Sequence, residues 1–266
     1  MECGENLFPG DGYDTPDFVR RHWLDRLCCG GRWYFYWKNF LIFSRSGRCG
    51  KRGELDRERQ IFFSNQNIRL IEECGGRIHL RGLDHLRALK GAPVVLIGNH
   101  MSLLETAIFH AIVRPHLDFT FVIKESLLKI PHFGDIMRAI KAIEVGRENP
   151  RDDLRAVLEE GRQRLEAGRS VIIFPQSTRS TEFNPEKFNS IGIKLAKAAG
   201  VPIVPFALKT DFLTNGRLIR DLGPIRREND VYFHFGPAMP IVGTGKEELK
   251  KTIDFIQENL AKWQKK

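Results

Sequence analysis

Residues 93–106 read PVVLIGNHMSLLET. The opening five residues are a short apolar run, the kind that forms a strand covered on both faces. Residues 103–113 read as a helix, so Asn99 and His100 fall where the carboxyl end of a strand passes into a helix. The same alternation extends both ways. Before it, residues 54–74 read as a helix stopped by Gly75 and Gly76, and 77–83 as a strand. After it come strands at 119–123, 142–145, 170–174, 203–208 and 231–235, with helical stretches at 126–140, 152–166, 188–199 and 247–263. Strands separated by crossover helices predict an α/β fold, with a mostly parallel twisted sheet and flanking helices. In such sheets the chemistry gathers where strands end and loops begin. Residues 201–206, VPIVPF, carry prolines at entry and middle and are expected along a sheet edge.

The bulk numbers bound the partners. Of 266 residues, 42% are hydrophobic and 28% charged, which supplies an ordinary packed core and speaks against global disorder. The formal net charge of +9 suggests an anionic partner, either nucleic acid or an anionic membrane surface. No helix-turn-helix, zinc-finger or RNP-type pattern is present, so no nucleic acid is expected. The five cysteines, Cys3, Cys28, Cys29, Cys49 and Cys74, are odd in number and form no C-x-x-C pair. Neither a disulfide framework nor a zinc site is expected, and a reducing compartment fits. Cys28 and Cys29 could carry an acyl chain near a membrane; plain thiols are the simpler reading.

Residues 1–19 read as a loose polar tail with no cleavable signal peptide. Residues 33–43, WYFYWKNFLIF, are apolar and aromatic but number only 11, against the roughly 20 of a spanning helix. Arg20, Arg21, Arg26 and Arg32 precede the run, and Arg45, Arg48, Lys51 and Arg52 follow it. Trp and Tyr favour the headgroup zone and the cations attract anionic lipid, which makes the segment an interfacial anchor. The alternative is a helix packed on the protein's own core. Residues 44–53, SRSGRCGKRG, read as a linker, dividing a helical membrane-associating segment (1–52) from the main domain (53–266).

Two strand ends carry the chemistry. At the first, Glu105 lies five residues after His100, where a helical turn brings its carboxylate back under the imidazole. A carboxylate on one ring nitrogen fixes the tautomer and leaves the other nitrogen free to take a proton. Ser102 and Glu105 also match a capping box, in which Glu105 would only cap the helix. At the second, residues 174–180, FPQSTRS, offer Gln176, Ser177, Thr178 and Arg179. Hydroxyls, an amide, an Arg and backbone N–H groups together can make a phosphate cradle; the alternative, slightly favoured for the loop taken alone, is a polar loop with a surface Arg. Lys124 and Arg147, each at the end of a strand, would widen an anionic pocket.

Taken in order, NHxSxxE, a basic Gly/Arg segment, FPxxTRS and VPIVP resemble the glycerolipid acyltransferases of the lysophosphatidate (1-acylglycerol-3-phosphate) acyltransferase type. The resemblance covers about residues 78–210, and Phe188 and Gly192 fit the family's intervening helix. It implies a monotopic membrane enzyme whose acyl-donor substrate is acyl-CoA or acyl carrier protein, with no other cofactor and no metal. It further implies a lysolipid acceptor such as lysophosphatidate, and a peripheral or monotopic place on the cytoplasmic face of a membrane. In that family His100 would be the base, Glu105 its partner, and Arg147 and Arg179 the holders of the acceptor phosphate. The sequence departs from the pattern with Glu105 in place of the usual aspartate, and with Gln176 and Ser177 where the family's FPEGTRS motif has glutamate and glycine. Those replacements favour the alternative of a lipid-binding pseudoenzyme of the same fold; a further alternative is an acyl-thioester hydrolase, with water replacing the alcohol.

Overall fold

The computed structural model describes residues 4–27, 31–176, 178–216, 219 and 221–264. Cys3, Cys28, Cys29 and Ser177 lie outside them. The elements run, in chain order, β1 (Tyr13–Asp14), α1 (Trp23–Leu27), α2 (Trp33–Lys51), α3 (Arg57–Glu73), β2 (Ile78–Arg81), α4 (Leu83–Ala88), β3 (Val95–Gly98), α5 (Leu104–Ile112), β4 (Phe119–Lys124), α6 (Phe133–Ala139), β5 (Ile143–Val145), α7 (Pro150–Glu166), β6 (Ser170–Ile173), α8 (Ile191–Ala199), β7 (Ile203–Lys209), β8 (Val231–Phe235) and α9 (Lys246–Gln264). A 3-10 turn at Glu125–Lys129 links β4 to α6.

The strands form one sheet in the order β1-β2-β8-β7-β3-β6-β4-β5. The five strands from β7 to β5 are mutually parallel. β8 runs antiparallel to β7, β2 runs parallel to β8, and β1 caps the edge antiparallel to β2. The expected α/β sheet is therefore present, mixed rather than uniform. Every residue of β3 and β6 is buried, as continuous apolar runs require when helices cover both faces. Ile97 pairs with Ile173 on one side and Pro205 on the other. That register sets the loop after β3 directly beside the loop after β6.

Three expectations are corrected. VPIVPF is not at an edge, because β7 lies between β8 and β3. Pro205 is tolerated there because its carbonyl faces β8, accepting from Gly236 N at 2.8 Å, so the missing N–H falls on that same side, past the last ladder pair of Phe206 with Phe235. The polar tail is docked: Tyr13 and Asp14 pair with Leu80 and His79, and Phe8 is buried. Residues 44–53 are not a linker, since α2 continues through Lys51. A Cβ on Gly47 would stand 2.4 Å from the His132 Cβ, and one on Gly50 2.8 Å from the Asp135 carbonyl oxygen. These glycines let a helix seat closely on its neighbour.

α2 has two faces. Tyr34, Phe35 and Ile42 enter the core, each worth about 2 kcal/mol of burial. Trp33, Trp37 and Phe40 stay exposed, as do Phe18, Trp23 and Leu27 of the preceding stretch. The core-packed reading thus describes one face and leaves an aromatic ridge on the other. Among the described residues no helix is long and apolar enough to cross a membrane.

Candidate active site

His100 sits two residues past the end of β3. The buried Asn99 fixes the chain there, because its amide pairs with Leu208 as a strand would: Nδ2 donates to Leu208 O at 2.8 Å and Oδ1 accepts from Leu208 N at 2.9 Å. The imidazole stacks on Phe174, with ring centroids 4.2 Å apart and planes 20° apart. Phe174 in turn packs against Phe109, Phe121 and Phe206, so the ring rests on the core.

Glu105 is fully buried, and a buried carboxylate is costly unless its oxygens are hydrogen-bonded. Oε1 accepts from Met101 N at 2.9 Å, from Ser102 N at 2.7 Å and from the Thr210 hydroxyl. Oε2 accepts from His100 Nδ1 in a short contact. Ser102 Oγ accepts from Leu104 N at 3.1 Å and donates to Thr210 Oγ1 at 3.0 Å. The capping and catalytic readings of Glu105 are therefore not rivals: one oxygen closes the helix start and the other holds the ring. With Nδ1 donating, Nε2 carries the lone pair. The His100 side chain is 18% exposed, enough for a hydroxyl to approach.

The FPQSTRS loop is stitched to the His100 loop at two points. Gln176 Oε1 accepts from His100 N at 3.1 Å, and Ser180 N donates to His100 O at 2.9 Å. Gln176 thus holds the His100 backbone, a task any side-chain carbonyl oxygen at that position can perform. Thr178 is exposed, and its N–H donates to Gln176 O at 2.7 Å. Arg179, next to Ser180, directs Nη2 to Asp221 Oδ1 at 2.6 Å.

The other two cations stand farther along the same sheet edge. Lys124 ends β4 in register with Val145, and Arg147 follows β5 by two residues. With strands about 4.8 Å apart, the β4 end is about 10 Å and the β5 end about 14 Å from β3. Arg147 takes a left-handed backbone, φ 63°, with its N–H on Asp153 Oδ1 at 3.0 Å. His100, Glu105 and Gln176 are brought together, with Arg179 beside Ser180 in the same stitched loop; Lys124 and Arg147 follow strands two and three places from β3. Sequence reasoning missed Thr210 and Asp221. Thr210 directly follows β7, and a polar residue beside a strand end next to β3 was the available signal. Asp221 gave none.

The sequence model of the Acyltransferase family matches residues 77–209, which holds all four motifs. A 1-acyl-sn-glycerol-3-phosphate acyltransferase of Pseudomonas aeruginosa is 30% identical over 172 residues, 65% of this chain and 63% of that protein. One of Borreliella burgdorferi is 27% identical, over 65% of this chain and 66% of that protein. The matches thus span slightly less than two thirds of these relatives' length. Among solved structures, the 1-acyl-sn-glycerophosphate (LPA) acyltransferase PlsC of Thermotoga maritima superposes with a TM-score of 0.68 at 19% identity, covering 91% of this chain and 98% of that one. That likeness speaks for the fold; the match across the motif-bearing half of the sequence speaks for kinship. The chain belongs to the Acyltransferase family.

Proposed function

We propose that the protein is an O-acyltransferase that moves a fatty acyl group from acyl-CoA or acyl carrier protein to the hydroxyl of a lysophospholipid, with lysophosphatidate the first choice. One observation carries the reading. A buried, fully hydrogen-bonded Glu105 holds His100 Nδ1 and leaves Nε2 to carry the lone pair, while the loop that bears Arg179 is tied to the His100 backbone. Nε2 takes the acceptor's hydroxyl proton as its oxygen attacks the thioester carbon. The tetrahedral intermediate collapses, the C–S bond breaks, and the imidazolium returns the proton to the leaving thiolate. Glu105 stabilises the imidazolium meanwhile. Arg179 fixes the acceptor phosphate, and Lys124 and Arg147 attract it along the sheet edge, which turns an encounter into a positioned reaction. Two names among the relatives, quoted above, support the lysophosphatidate choice.

The aromatic ridge of Phe18, Trp23, Leu27, Trp33, Trp37 and Phe40 is the proposed contact with an anionic membrane surface, on its cytoplasmic face. Trp33, Trp37 and Phe40 follow helical spacing along one side of α2. Purified protein given labelled acyl-CoA and a panel of lysolipids on anionic vesicles tests both parts. Acylated lysophosphatidate with the protein pelleting on the vesicles is the expected result. Free fatty acid released faster than acyl-lipid forms would make it a hydrolase, and binding without turnover a pseudoenzyme.

A further inference from the structure

The excursion between β7 and β8 supplies Asp221. Leu213 and Ile225 form an antiparallel bridge, Thr214 N donates to Pro224 O at 3.2 Å, and Arg226 N donates to Phe212 O at 2.7 Å. Asp221 therefore belongs to a stretch whose two flanks pair with each other at Leu213 and Ile225. α2 grips its returning arm: Tyr36 donates its hydroxyl to Gly223 O at 2.8 Å, and Arg32 donates to Leu222 O at 2.5 Å. The side chain of Asp221 is 48% exposed, while that of Arg179 is only 17% exposed. A well-shielded guanidinium, one residue along the chain from the Ser180 N–H that donates to His100 O, is thus faced by a carboxylate that water can reach.

We infer that Asp221 belongs to the acceptor site, its carboxylate holding the place on Arg179 that the acceptor's phosphate takes, so that acceptor binding exchanges one anion for another on one guanidinium. The inference rests on the proposed transferase reading. The chemistry favours exchange over sharing. Carboxylate and phosphate both present paired oxygens to the planar fork of Arg. A phosphate monoester carries a charge of about −1.5 to −2 near neutral pH, so a carboxylate left beside it would repel it. A half-exposed ion pair holds by only about two- to fivefold in equilibrium terms, little enough for the stronger anion to displace. The arm's attachment to α2 makes the placeholder part of the fold.

The test measures acceptor and donor Michaelis constants for wild type and Asp221→Asn with lysophosphatidate, a lysophosphatidylethanolamine and acyl-CoA. Exchange predicts that Asp221→Asn lowers the lysophosphatidate constant about two- to fivefold and leaves the acyl-CoA constant in place. Inhibition by inorganic phosphate should strengthen by a similar factor. Tyr36→Phe, which frees the returning arm, should shift the lysophosphatidate constant in the same direction by less. An unchanged or raised lysophosphatidate constant in Asp221→Asn overturns the inference, because it would make Asp221 an orienting partner of Arg179 or a bystander. So does a raised constant confined to the ethanolamine lipid, which would make Asp221 a reader of cationic headgroups. A wild-type protein that acylates no lysolipid sinks the transferase reading itself, whereas an active one with unmoved constants sinks this inference alone.

Discussion

The His100–Glu105 and Arg179–Asp221 pairs use a carboxylate in opposite ways. Glu105 is fully buried, with four donors on its two oxygens. Asp221 is half exposed and reaches its partner from a long excursion. Burial makes the first carboxylate immovable, because shifting it would strand backbone N–H groups and a hydroxyl in a dry interior. Exposure makes the second replaceable at little cost. The proposed reaction, which holds one geometry through a proton transfer and also admits and releases a charged acceptor, needs both kinds.

The comparison breaks first at its rigid side. His100→Ala should cut transfer at least about 1,000-fold with the fold retained, and a variant acylating at even a tenth of the wild-type rate would remove histidine from the mechanism. Glu105→Gln should cost about 100-fold or more. Its amide oxygen keeps the bonds from Met101, Ser102 and Thr210, but its NH2 meets Nδ1–H donor to donor and drives the ring to the wrong tautomer. Thr210→Val should lower kcat about tenfold while Thr210→Ser restores it; equal loss in both would point to packing instead.

On the displaceable side, Arg179→Ala should raise the acceptor's Michaelis constant about tenfold or more, as loss of a charge-assisted bond implies. Arg147→Ala should raise it less, since Arg147 stands three strands from β3. A larger effect at Arg147 would relocate the phosphate. The smallest effect lies away from both pairs. Burial holds His110 well below its ordinary value of 6.5, with the Arg114 guanidinium adding to the effect. The folded protein keeps His110 neutral while the unfolded chain takes up a proton, so this contribution is complete above about pH 6.5 and declines as the pH falls below it. His110→Asn should flatten the acid limb of the unfolding free energy, read by denaturant titration, by about 1.4 kcal/mol per pH unit at most.

Much of this was legible in the sequence, for identifiable reasons. His100 and Glu105 are five residues apart on one strand–helix turn, so local geometry alone brought them together. The buried strands announced themselves as apolar runs with helices between. Thr210 reaches Glu105 across a separation of 105 residues, and nothing local separates it from any threonine at a strand end. Asp221 meets Arg179 only because the chain folds back at 213–225, which no periodicity records. The prolines of β7 misled because the ladder ends at Pro205 within an interior strand. The glycines of α2 misled because Gly reads as a breaker in a chain but as a close-packing surface once a neighbour arrives.

That last feature has reach. α2 is 19 residues long, a rod of about 28 Å, and Gly47 lies near the end opposite Trp33 and Trp37. A methyl group at Gly47 would leave the helix wound but lift it off its seat, and a small tilt there becomes a displacement of ångströms at the far end. The aim of the tryptophans is thereby set by two hydrogen atoms in place of side chains, at a distance where no tryptophan touches them.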